Sequence, residues 1–270
     1  MRWFYPPVRN ITQEIFTATM LLAAGLLVGC ATVPETGRRQ LNLISAGEEV
    51  KLGLSAFGEV KKGTPISHDP AANAMLQRVG RRIAAVAQLP SAQWEFVLFE
   101  SKEANAFCLP GGKVGVYTGL LSVAKDDAGL ATVLGHEIAH AVARHGAERM
   151  SESLLMQVGG SALGAAVEDS DPRWKAAALT AYSVGAKYGR ELPHSRGQES
   201  EADQIGLIYM ARAGYDPEAA VGFWQRFAEY NRQHGGGQGL EFFRTHPLDE
   251  TRIKQIQGWL PRAKSEYKPQ

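Results

Sequence analysis

One short stretch limits what this chain can fold into more than any other: His136-Glu137-Ile138-Ala139-His140, set in a segment that reads as helix on both sides. Four residues advance an α-helix by roughly 400°, so the two imidazoles share one face, one turn apart. Neutral imidazole is a natural zinc ligand, and ligands at i and i+4 can share one ion. Glu137 is offset to a neighbouring position. From there it can reach a water activated by the metal without occupying the metal, and act as its base. His145 lies about 500° further round the same helix. It is expected off the ligand face, solvated beside Arg144.

A catalytic zinc usually takes three protein ligands and one water, so a third residue is required. Downstream, Glu199-Ser200-Glu201-Ala202-Asp203 opens a helix with three acids in five positions. Glu199 and Asp203 share a face, whereas Glu201 points roughly 200° away from Glu199. One carboxylate can bind the metal while another, a turn on, supports a histidine ligand through its second ring nitrogen.

The surrounding pattern is helices about a short strand region. Ser45-Ala46-Gly47-Glu48 has the form of a capping box opening a helix to about Lys61. Asp69-Pro70 starts a second, with Met75, Val79, Ile83 and Val86 at helical spacing. Residues 94–100 and 113–117 are rich in strand formers, with an extended piece from Asn105 to Gly112 between them. Helix is expected from Ala128 to about Val158, a small-residue break at 159–170, helices at 172–188 and 196–213, another to about Tyr230, a glycine-rich loop, and a last helix near 248–259. The class is α+β. The apolar stretch 154–166 is too short to span a bilayer and reads as a packed helix or a mobile lid.

The two motifs together, His136-Glu137-x-x-His140 and Glu199-x-x-Ala202-Asp203, resemble the HtpX and CAAX-prenyl-endopeptidase family of gluzincin metalloproteases, in its soluble bacterial lipoprotein branch. Asn105-Ala106-Phe107 with Pro110-Gly111-Gly112 resembles that family's strand beside the active-site helix, and Thr245-His246-Pro247 with Arg252-Ile253 its C-terminal element. The resemblance implies a mostly helical zincin-type domain with a small β-sheet beside the HExxH helix, and a zinc-dependent endopeptidase with one Zn2+ per chain. It names Glu199 as the third ligand, with Glu201 as the fallback, and Asp203 as the residue supporting a ligand. His246 is open between a transition-state donor, a blocking fourth ligand and a histidine fixing a turn. An exposed edge strand at Asn105, Ala106 and Phe107 can pair with an extended peptide through backbone hydrogen bonds, largely whatever its sequence. Unfolded or misassembled envelope proteins are the expected substrates, with outer-membrane assembly machinery as a possible partner. The rival expectation is a latent or non-proteolytic zinc-containing assembly factor.

The amino terminus gives the location. Arg2 and Arg9 precede an apolar run from Ile15 to Val28, the length of a signal-peptide core. Leu27-Val28-Gly29-Cys30 resembles the bacterial lipobox, where cleavage leaves Cys30 for lipid attachment; the alternative is a signal anchor with an incidental cysteine. Ala31 stands where an Asp would signal inner-membrane retention, favouring an outer-membrane lipoprotein facing the periplasm. The expected division is a signal peptide at 1–29, a lipidated tether at 30–44, the metalloprotease domain at 45–262 and a tail at 263–270. Loss of Arg2, Arg9 and Glu14 leaves basic and acidic residues equal in number, so the lipid rather than charge must hold the membrane. A net charge of +1 on the whole chain gives no footprint for nucleic acid, and 44% hydrophobic residues with 21% charged exclude wholesale disorder. Cys108 is the one thiol left, expected as a small buried hydrophobe.

Overall fold

The computed structural model describes residues 30–90, 92–187, 192–234, 242, 246 and 250–269. Residues 1–29, expected as a signal peptide, the glycine-rich loop at 235–240, Thr245 and Pro247 lie outside the described residues. The elements are strands β1 (Cys30–Thr32) and β2 (Arg39–Leu41), helices α1 (Ala46–Gly63) and α2 (Pro70–Val86), and strands β3 (Glu95–Phe99), β4 (Ala106–Leu109) and β5 (Lys113–Tyr117). Among the described residues seven further helices follow: α3 (Thr118–Ala124), α4 (Asp127–Val142), α5 (His145–Ala166), α6 (Pro172–Ala186), α7 (Leu192–Arg212), α8 (Ala219–His234) and α9 (Glu250–Ser265). This is the expected α+β class, mostly helical with a small sheet.

The helix starts follow from local chemistry. Ser45 and Glu48 form the reciprocal capping box at α1, and Asp69 caps α2 with Pro70 in the first turn. Asp126 accepts from the Gly129 N–H at the start of α4. The three-stranded sheet has the order β3-β5-β4, with β3 parallel and β4 antiparallel to β5. β4 is therefore an edge strand, and it packs against α4.

α4 is buried along nearly its whole length, including His136, Glu137 and His140. Its largest contact is with α7. The two helices cross backbone to backbone: a Cβ on Gly206 would sit 2.9 Å from the His136 nitrogen, and one on Gly135 would sit 2.9 Å from the Gly206 oxygen. That approach brings the acids of α7 within reach of the histidines of α4.

Four sequence expectations change. The helix expected from 128 to 158 is broken, because Arg144 adopts a left-handed conformation (φ 55°) between α4 and α5. Residues 159–166 are not a break but the last turns of α5. Gly159 is there for space, since a Cβ on it would meet the Tyr182 hydroxyl of α6 at 2.3 Å. Residues 30–44 are no loose tether: β1 and β2 form an antiparallel hairpin, Val33 is in the core and Gln40 is buried. Ala263, expected to open a tail, is buried within α9.

Candidate metal and catalytic site

His136 Nε2 and His140 Nε2 converge from α4 to 3.1 Å. Glu199 of α7 closes the group, its carboxylate oxygens 3.3 Å from His136 Nε2 and 3.2 Å from His140 Nε2. His246 adds a fourth side chain, with Nδ1 2.9 Å from Glu199 Oε2 and 3.2 Å from His136 Nε2. One ligand atom from each of these four residues lies within 4.8 Å of all the others. Glu201, the fallback ligand, is not in this group. It faces the other way, bound by Thr36, Arg38 and His145.

The partners of the outer ring nitrogens settle which atoms face the centre. His136 Nδ1 donates to Asp203 Oδ1 at 2.9 Å, turning Nε2 inward. Asp203 is in turn gripped by Arg252, whose Nε and Nη2 donate to its two oxygens at 2.5 and 2.9 Å. His140 Nδ1 meets His145 Nδ1 at 2.8 Å, and His145 Nε2 meets Glu201 Oε2 at 3.0 Å. A carboxylate only accepts, so His145 donates from Nε2, accepts at Nδ1, and leaves His140 Nε2 with an inward lone pair. His145 is therefore buried and bonded (0% exposed), not solvated as expected. The left-handed step at Arg144 restarts the helix and swings it under His140.

Two imidazole lone pairs and a carboxylate gathered at one point demand positive charge, and Arg252 Nη1, 3.2 Å from Glu199 Oε2, meets it from one side only. Burial alone would push Glu199 up, but the close approach of His140, His136 and His246 holds it far below the usual carboxylate range. The histidines answer in opposite directions. Burial drives His140 well down. For His136 burial is outweighed by hydrogen bonds to Asp203 and Glu199, which raise it to about 9. A proton on His136 meets the demand of one contact; a divalent cation meets all of them together, and two nitrogens with a carboxylate oxygen are a donor set that zinc takes. The residues fit the ion.

Glu137 is buried beside this group. Its Oε1 has no hydrogen bond and lies 3.4 Å from His246 Nε2. Burial pushes its carboxyl above the ordinary value, against the pull of His246 and His136. A cleft of about 470 Å³ opens over Glu137 and His140, walled by Asn105 to Leu109 and by Arg149, Ser195 and His246. The substrate strand expected from sequence thus borders the candidate base. Cys108 is in the same wall, its thiol pushed up by burial and by the Glu137 charge, so it stays protonated.

The comparisons with known proteins agree with this geometry. The model of peptidase family M48 matches residues 70–260, and the chain belongs to that family. It is 36% identical over 236 residues to the mitochondrial metalloendopeptidase OMA1 of Schizosaccharomyces pombe, covering 86% of this chain and 66% of the relative. The OMA1 of Saccharomyces cerevisiae is 35% identical over 192 residues, 66% of this chain and 50% of the relative. The beta-barrel assembly-enhancing protease of Escherichia coli K12 is 30% identical over 252 residues, 91% of this chain and 51% of the relative. The chain thus spans between half and two thirds of the length of these relatives.

Three features escaped the sequence reading. His145 points to solvent only on a helix that runs on through Arg144, and the left-handed step there leaves no mark in the sequence. Arg38 and Gln40, with partners more than a hundred residues away, carry no local signal. Arg252 stood in a motif, but its grip on Asp203 could not be read from spacing.

Proposed function

We propose that this chain is a zinc-dependent endopeptidase of the bacterial envelope that cuts unfolded or misassembled envelope proteins. The observation that carries the reading is the inward convergence of His136, His140 and Glu199 with the unbonded Oε1 of Glu137 beside an edge strand. His136, His140 and Glu199 hold the ion, and Asp203 orients His136. Zinc supplies Lewis acidity there, polarising a peptide carbonyl and making water a competent nucleophile near neutral pH. Glu137 takes the proton from the attacking water and passes it to the departing amine; its raised pKa suits both steps. An extended client adds along the edge of β4 that walls the cleft, at the half-buried Asn105 and Phe107 rather than at Ala106, which is buried and not exposed as expected. Such pairing selects chains that can offer a bare backbone, so folded proteins are spared.

Lipid attachment at Cys30 would place the domain at the outer membrane, facing the periplasm. Among the described residues no helix is long and apolar enough to cross a membrane. One relative's name couples protease with beta-barrel assembly, which favours clients of that kind. The other named relatives are mitochondrial metalloendopeptidases.

The test is Glu137→Gln in the mature chain, assayed for zinc content and for cleavage of an unfolded protein such as casein. Zinc should stay near one per chain while cleavage falls by about 10²-fold or more. Unaltered cleavage sinks the assignment.

A second reading, a latent enzyme or non-proteolytic assembly factor, draws on His246. Its Nδ1 crowds Glu199 and His136, where it can act as a fourth ligand that blocks the site. Replacement by Ala then raises basal cleavage. If His246 instead steadies the transition state, the same change lowers it. No change in either direction removes His246 from the site.

A further inference from the structure

We infer that His145 is a positioning residue for His140, and that with Glu201 and Arg38 it forms a buttress through which the amino-terminal hairpin fixes one metal ligand. The inference rests on the zinc-site reading above.

The two histidines of the motif are supported differently. His136 leans directly on a carboxylate, Asp203, clamped by Arg252. Among the described residues, the outer nitrogen of His140 meets an imidazole rather than a carboxylate. His140 Nδ1 donates to His145 Nδ1 at 2.8 Å, and His145 Nε2 donates to Glu201 Oε2 at 3.0 Å. An imidazole is interposed, but the order is the same: ligand, carboxylate, arginine. Arg38 Nε donates to that same Glu201 oxygen at 2.7 Å, and Thr36 Oγ1 donates to the other.

The far end is pinned as firmly. Arg38 Nη1 and Nη2 donate to the Glu148 carboxylate at 2.7 and 2.9 Å, and Gln198 Nε2 donates to it at 2.7 Å. Gln40 Nε2 donates to the Ala143 carbonyl at 2.7 Å, next to the left-handed Arg144 that places His145. Second partners of metal-bound imidazoles fix the tautomer and ring orientation, and losing one commonly weakens metal binding about 10–100-fold. Here the chain of contacts ends on residues just after Cys30 rather than inside the catalytic helices.

The experiment measures zinc affinity of the mature chain by chelator competition, with the visible spectrum of the Co2+-substituted protein as a reporter of ligand geometry. His145→Phe keeps a buried ring but no nitrogen, and should weaken zinc by about 10-fold or more and shift the Co2+ bands. Glu201→Leu should do likewise, while Glu201→Gln, which keeps an oxygen for His145, should restore most of the affinity. Arg38→Met changes a side chain that is 32% exposed, and decides the matter if the buried changes prevent folding. It should weaken zinc several-fold. Folded variants with wild-type affinity and spectrum overturn the buttress alone. A wild-type chain that takes up no zinc overturns the metal site, and the buttress with it.

Discussion

Asp203 sits between a metal-ligand candidate and a buried arginine, and that place makes its charge a stability element. Burial would raise its pKa from 3.8, but Arg252 and then His136 hold it lower in the folded chain. The folded state therefore binds fewer protons than the unfolded state as pH falls past the ordinary aspartate value. The stabilisation is complete above that value and is lost as pH drops through the folded one. Thermal melts of the chelated protein should show Asp203→Asn less stable at neutral pH and losing less between about pH 5 and pH 3 than wild type. Equal acid slopes would count against the Arg252–Asp203 clamp. The i, i+4 pair of histidines and the i, i+4 pair Glu199 and Asp203 were both legible, because helical periodicity alone puts each on one face. Which acid meets the histidines was not legible from periodicity, and only the family resemblance pointed to Glu199: Glu199 and Glu201 are two residues apart, and the packing of α7 against α4 separates their surroundings.

The α4–α7 crossing sets the distance between those faces. Gly206 allows it, since a Cβ there would press on the His136 nitrogen at 2.9 Å and its Cα at 3.2 Å. Backbone cannot yield as a flexible side chain can, so Gly206→Ala should cost about 1–3 kcal/mol. Denaturant unfolding reads this directly, and zinc affinity should fall as the helices part. Neither glycine announced itself, because nothing in the sequence shows which helices touch. Gly159 and Gly160 misled in the opposite sense. A glycine pair ordinarily weakens a helix, yet here the vacated space is filled by Tyr182, which donates to the Met156 carbonyl at 2.9 Å. The break at Arg144 was hidden because residues other than glycine seldom take positive φ. Its cost is offset by the guanidinium, which donates to Glu49 at 2.6 Å and to the Ile44 carbonyl at 2.9 Å.

At the scale of the whole molecule, the site joins elements from both ends of the described chain: Arg38 follows β1, and Arg252 lies on α9. An ion bound between α4 and α7 should therefore stabilise the entire fold. With free zinc about a thousandfold above the dissociation constant the gain is about 4 kcal/mol, on the order of 10 °C for a domain of this size. Melting with and without chelator reads it, and His136→Ala should abolish the difference. An unchanged melting temperature in the wild type would mean no such coupling. The α+β class and the order of elements were readable from periodicity and caps, whereas the strand beside the HExxH helix came from the family resemblance. The role of residues 30–44 was not, since a hairpin of three-residue strands owes its order to partners far along the chain.

If Cys30 carries a lipid, as proposed above, that hairpin also limits how far the cleft can travel. β1 begins at Cys30 itself, so no slack lies between that residue and the folded body. An acyl chain on its sulfur would moor the domain like a boat tied at the bow, with no rope let out. The cleft would ride at one fixed height above the bilayer. Clients would have to come to it, and those still emerging at the membrane surface would be the ones within range.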